Sequence, residues 1–283
     1  MRRDDVFVSA QWLRERLDQP DIVPVDASWY LPNLNRDGRA DYEAGHIEGA
    51  VFFDLDAVSD LSSDLPHMMP DPVQFSSAMR KLGIGDGQTL IIYDGAGLFS
   101  APRVWWMFKT MGVESVFILD GGLPGWTAAD YPLSDEPVIR SQRHFTARFD
   151  ATALADLAAI SKAISDTNMQ IIDARPADRF SGAVPEPRPG LTAGHMPGAG
   201  NVPFTDLIED GRLKSTEALQ ALFKDKGIST DGPIITSCGS GVSAVTVALG
   251  LKLVGARDVR IYDGSWAEWG ADASLPVETG PTS

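Results

Sequence analysis

Short apolar runs punctuate this chain, and stretches with helical spacing of apolar residues lie between them. Leu90-Ile-Ile-Tyr93 and Ile234-Ile-Thr236 are too short for helices and read as strands buried on both faces of a parallel sheet. Apolar positions at helical spacing predict helices over Ser9 to Leu17, Pro102 to Met111, Thr152 to Ser165, Thr216 to Lys226 and Val242 to Val254. Ser215 or Thr216, just ahead of Glu217, supplies a cap for the fourth of these. Strand and helix alternate throughout, so the expected class is α/β, a mostly parallel sheet flanked by helices.

The pattern occurs twice. Ile22-Val-Pro-Val-Asp26-Ala27 and Gly45-His46-Ile47-Glu48-Gly49-Ala50 in the first half match Ile171-Ile172-Asp173-Ala174-Arg175 and Gly194-His195-Met196-Pro197-Gly198-Ala199 in the second. Thr89 to Asp94 matches Pro233 to Cys238, and Ile118-Leu-Asp120-Gly121-Gly122 with Trp126 matches Ile261-Tyr-Asp263-Gly264-Ser265 with Trp269. Order and spacing persist at an offset of about 145 residues, the signature of a duplicated domain. The aperiodic stretch from about Ser134 to Asp150 reads as the join. The expected boundaries are therefore 1–135, a linker over 136–150, and 151–283.

Composition narrows the class. The chain has 283 residues, 43% hydrophobic and 22% charged, enough to bury a core without disulfide or metal staples. Lys+Arg 24 against Asp+Glu 39 gives a net charge of −15, which argues against a nucleic-acid partner and against anionic membrane surfaces. No apolar run approaches the length of a membrane span, and the start, Met1-Arg2-Arg3-Asp4-Asp5, lacks a signal-peptide core. A cytoplasmic protein is expected. One cysteine, Cys238, excludes an internal disulfide and any multi-cysteine metal cluster; with four histidines besides, no metal and no cofactor are expected. Gly121-Gly122 is a turn after a strand and does not form a nucleotide fingerprint.

Cys238 closes a strand and opens the loop Cys238-Gly239-Ser240-Gly241-Val242-Ser243-Ala244, followed by an apolar helical run. Open α/β sheets bind ligands at such strand ends. Two glycines let successive N–H groups converge, and the following helix adds its positive end. A cradle of this kind favours a thiolate and equally a persulfide anion. Read without further context, the same residue also fits a buried structural cysteine.

The loop is similar to the active-site loop of 3-mercaptopyruvate sulfurtransferases, a family of tandem-rhodanese enzymes. Asp26-Ala-Ser-Trp-Tyr30, Ser100-Ala-Pro-Arg-Val-Trp-Trp106 and Tyr262-Asp-Gly-Ser-Trp-Ala-Glu-Trp269 resemble the family as well, so the likeness covers nearly the whole chain. It implies two rhodanese-like domains, the first catalytically silent, with Asp94 near the place that Cys238 takes in the second. It implies that Cys238 takes sulfur from 3-mercaptopyruvate, releases pyruvate, and passes the sulfur to a thiol such as thioredoxin or to cyanide. Cysteine phosphatases on a related fold carry an arginine six positions after the cysteine; here that position is Ala244. Thiosulfate-preferring rhodaneses carry cations just after the cysteine, where this chain has Gly239 and Ser240. The alternatives are thiosulfate:cyanide transfer and a non-catalytic scaffold.

The resemblance further implies that Arg179 and Arg188 anchor the substrate carboxylate, that Gly239, Gly241, Val242 and Ser243 contact the substrate, and that Ser240, His67 and Asp56 form a serine-protease-like relay. An arginine fork suits a carboxylate, and a proton donor is needed because breaking the C–S bond leaves an enolate. From the residues alone, the arginines are compatible with salt bridges, His67 with a solvated loop position, and Asp56 with a cap at Ala57. His46 and His195 recur in both halves and are read as structural, and Trp105, Trp106, Trp126, Trp266 and Trp269 as core or interface.

Overall fold

The computed structural model describes residues 1–166 and 168–280, so the expected boundary at 283 lies outside the described residues. Five strands form the first sheet: β1 (Phe7–Val8), β2 (Ile22–Asp26), β3 (Val51–Phe52), β4 (Thr89–Tyr93) and β5 (Val116–Leu119). Five more form the second: β6 (Leu154–Ala155), β7 (Gln170–Asp173), β8 (Gly200–Asn201), β11 (Ile234–Ser237) and β12 (Val259–Tyr262). Between them β9 (Ile208–Glu209) and β10 (Arg212–Leu213) make a small antiparallel hairpin. The strand orders are β1-β5-β4-β2-β3 and β6-β12-β11-β7-β8, the same permutation, parallel at every pairing. Burial on both faces requires apolar side chains on both, which is why β2 and β11 are buried along their whole length.

Around the first sheet lie α1 (Ala10–Arg14), α2 (Gly38–Ala44), α3 (Leu55–Val58), α4 (Pro72–Lys81), α5 (Ala101–Thr110) and α6 (Gly122–Ala128). Around the second lie α7 (Leu157–Ala163), α8 (Ala177–Phe180), α9 (Thr216–Asp225), α10 (Ala244–Leu253) and α11 (Ser265–Trp269). Ser215 caps α9 by accepting the N–H of Ala218, as its place in the sequence predicts. The helix expected from Thr152 to Ser165 is shorter. Leu154 and Ala155 pair with β12 as an edge strand, and Asp156 accepts the N–H of Ala159, starting α7 only at Leu157. Among the described residues, no helix is long and apolar enough to cross a membrane.

α5 and α10 each follow the central strand of their own sheet and pack against one another. α10 is apolar almost all round, the composition of a helix with no solvent face, and a single buried cluster runs through both halves from Val6 to Ile261. Residues 136–150 hold no regular helix or strand, yet they lie against the first domain. The N–H of Asp86 donates to His144, the N–H groups of Arg148 and Asp150 donate to Met111 and Thr110, and Phe145 is buried against Phe75 and Phe108. All five tryptophans read as core are buried. His46 and His195 sit equivalently, Nδ1 against a backbone carbonyl and the ring stacked on Tyr42 or Phe180.

Candidate active site

β11 ends at Ser237, and the chain turns through Cys238–Ser243 before α10 begins. One hydroxyl fixes the turn. Ser265 Oγ accepts the N–H groups of Cys238 and Gly241, each at 3.1 Å, while donating to the carbonyl of Tyr262. Gly241 has φ 76°, and a Cβ there would come within 2.9 Å of the Asp263 carbonyl, so the turn demands glycine. Cys238 is 2% exposed. Among the described residues, no protein acceptor pairs with the N–H groups of Gly239, Ser240, Val242 or Ser243.

The expected relay residues meet across the domain boundary. His67 Nδ1 is 2.9 Å from Ser240 Oγ, and His67 Nε2 is 2.9 Å from Asp56 Oδ1. A carboxylate can only accept, so Nε2 donates to Asp56, and in the neutral ring Nδ1 accepts the Ser240 hydroxyl. This ring is turned opposite to that of a serine protease, where Nε2 faces the serine. The hydrogen bond from His67 holds the Asp56 carboxyl below the usual carboxylate range, and Trp29 Nε1 donates to its other oxygen at 3.1 Å. Asp56 is no helix cap. Asp54 caps α3 by accepting the N–H of Ala57, which leaves Asp56 free for His67. His67 itself is buried, with φ 61°, on the loop between Pro66 and Pro70.

Both expected arginines lie over the loop, since a Cβ on Gly239 would be 3.1 Å from Arg179 Nη2 and 3.8 Å from Arg188 Nη1. They differ in commitment. Arg179 turns Nε and Nη2 to Glu186, a buried carboxylate that also receives Arg175. Arg188 has no carboxylate partner among the described residues and donates to Ser240 Oγ at 3.4 Å. Burial pulls its guanidinium below the ordinary value, opposed most by the neighbouring Cys238. Arg188, Arg179, Cys238, Trp29, Phe99 and Phe204 line a narrow cleft, and Gly239, Val242 and Ser243 border it too. Its lining combines apolar and cationic side chains, a setting for a small acid with one charged end.

Several contributors were not singled out from the sequence. Trp29 stands edge-on to the His67 ring at 4.7 Å between centroids; it lay inside the Asp26–Tyr30 motif. Glu186 precedes Arg188 by two positions, and Ser265 lies in the Tyr262–Trp269 motif, so each signal was adjacent. The first domain carries the matching loop with another occupant. Asp94 Oδ2 accepts the N–H groups of Phe99, Ser100 and Ala101 at 2.7–2.9 Å, and Oδ1 that of Ala96 at 2.9 Å.

The model of the rhodanese-like domain matches residues 9–129 and 156–272. The 3-mercaptopyruvate sulfurtransferase of Escherichia coli strain K12 is 50% identical over 273 residues, 96% of this chain and 97% of that protein. The human 3-mercaptopyruvate sulfurtransferase is 44% identical over 270 residues, covering 93% and 91%. The crystal structure of SseA from Escherichia coli, a 3-mercaptopyruvate sulfotransferase with the rhodanese fold, matches with TM-score 0.85 at 47% identity, over 92% of this chain and 98% of that one. The repeated sheet order thus has a family to go with it: the chain belongs to the rhodanese family, with one rhodanese-like domain in each half.

Proposed function

We propose that this protein is a 3-mercaptopyruvate sulfurtransferase that carries sulfur as a persulfide on Cys238. The observation that carries this reading is the Ser240–His67–Asp56 chain ending beside the cysteine, with Arg188, which has no carboxylate partner among the described residues, reaching Ser240. The carboxylate of the donor lies on Arg188, steadied by Arg179. The Cys238 thiolate forms a bond to the donor sulfur, and the C–S bond breaks with its electron pair left on carbon as pyruvate enolate. Ser240 delivers a proton to that carbon and recovers the proton that the donor thiol brought. The products are pyruvate and a deprotonated persulfide, so atoms and charge balance. His67, held by Asp56, orients the Ser240 hydroxyl and, as an imidazolium paired with Asp56, holds the donor thiol's proton until Ser240 relays it to carbon. The free loop amides and the start of α10 favour the persulfide anion.

The outer sulfur then passes to a thiol, of which thioredoxin is one, leaving a persulfide on the acceptor, or to cyanide, giving thiocyanate. Either transfer regenerates the Cys238 thiolate. The neutral side chains at Gly239 and Ser240 favour a monocarboxylate donor over the thiosulfate dianion. The first domain is silent in this reading, because Asp94 already fills its cradle. The proposed compartment is the cytoplasm, where a lone thiol stays reduced.

Intact mass without reductant tests the proposal, after incubation with 3-mercaptopyruvate or with thiosulfate. The expected result is one added sulfur with 3-mercaptopyruvate, matched by pyruvate and absent from Cys238→Ser. Sulfur gained only from thiosulfate would make the protein a thiosulfate sulfurtransferase. Gain from neither donor would leave a scaffold.

A further inference from the structure

Arg103 takes no part in the chemistry above, yet it touches both loops that perform it. It projects from α5 of the first domain and is fully buried. Nη1 donates to Asp263 Oδ1 at 2.6 Å and to the carbonyl of Gly241 at 3.2 Å, and Nη2 donates to the carbonyl of His67. Its guanidinium carbon lies 4.7 Å from the Trp106 ring centroid. Asp263 closes the circuit, its second oxygen accepting the N–H of Met69 at 2.7 Å. One side chain therefore grips the residue after Ser240 and the backbone of the histidine that Ser240 bonds.

We infer that Arg103 is a positioning residue for sulfur transfer, fixing the His67 loop against the Cys238 loop so that the Ser240–His67 hydrogen bond forms across the domain boundary. The inference rests on the relay reading. His67 holds a left-handed backbone conformation that a non-glycine residue adopts at a cost, so contacts outside its own loop must maintain it. A planar fork that binds two carbonyls and a carboxylate sets distance and angle together, which a lysine ammonium cannot do. Stability alone explains the arrangement poorly. The Arg103 Nε is buried without a partner among the described residues, and a buried ion pair often stabilises no more than apolar side chains of the same volume.

A double-mutant cycle between Arg103→Lys and His67→Ala tests this. With 3-mercaptopyruvate, Arg103→Lys should lower kcat roughly tenfold or more while KM stays within about twofold, because Arg188 is untouched. On the His67→Ala background the same change should lower kcat by less than about twofold, since the bond it positions is already gone. An equal loss on both backgrounds would overturn the inference, as would a lowered melting temperature with kcat per folded chain unchanged. Full kcat in His67→Ala alone would instead remove the relay reading, and this inference with it. If Arg103→Lys does not fold, Asp263→Asn carries the same cycle, because its amide oxygen can still accept the N–H of Met69.

Discussion

Arg188 and Arg179 look interchangeable in sequence, but one carboxylate separates them. Glu186 already takes two nitrogens of Arg179, so the charge free for a ligand belongs to Arg188. A hydrogen bond to a charged group contributes about 1.5–3 kcal/mol, so Arg188→Ala should raise KM for 3-mercaptopyruvate roughly 10- to 100-fold. An unchanged KM in steady-state assays would put the anchor elsewhere. Asp26 is the other residue whose surroundings decide its behaviour. Its counterpart Asp173 is held by Arg175, but Ser28 stands at the arginine position, and buried Asp26 accepts the Ser28 N–H. Burial pushes the Asp26 carboxyl up from 3.8 to about 6. A folded-state value above the unfolded one means that protonation favours the fold. That contribution is fully present below pH 3.8 and is lost as pH rises through about 6, by up to roughly 3 kcal/mol. Asp26→Asn should therefore raise the melting temperature by roughly 5–10 °C at pH 8 and by about half as much near pH 5. A gain independent of pH in calorimetry would exclude Asp26 as the titrating group.

The strand–loop–helix unit is built twice with different loop chemistry. In the second domain the loop stays open around Cys238; in the first, the Asp94 carboxylate occupies it with four N–H bonds. Asp94→Ala strands buried amides and should cost roughly 3 kcal/mol or more of stability, read as a lowered melting temperature, with KM unchanged. Full stability would mean that the loop closes without its anion. Central strands were legible because burial on both faces writes an unbroken apolar run. The edge strands β1, β3, β6 and β8 were not, since two residues carry no period; Leu154–Ala155 reads as helix until β12 is beside it. The cysteine loop announced itself through its glycines. The relay did not come from pattern at all: Ser240 and His67 lie 173 positions apart and His67 and Asp56 lie 11 apart, spacings that no local periodicity marks. The family likeness brought those residues together. Trp29, Glu186, Ser265 and Arg103 act through tertiary contacts, and no local feature separates them from ordinary core or surface residues.

The two halves share one apolar core. α5 packs on α10 within a continuous apolar cluster, and residues 136–150, which sequence reads as a linker, lie along the first domain with Phe145 buried against Phe75 and Phe108. Phe145→Ala should cost about 3–5 kcal/mol and shift a single unfolding transition. Two resolved transitions would show halves that melt independently. The division of the site between halves also bears on biosynthesis. Asp56 and His67 belong to the part of the chain made first, and Cys238 to the part made last. A growing chain thus carries Asp56 and His67 well before Cys238 has been added. A polypeptide that ends early, or whose second half misfolds, carries the hydrogen-bonding partners without the nucleophile, or the nucleophile without its partners. On the proposed reading, sulfur transfer then waits until both halves are made and docked.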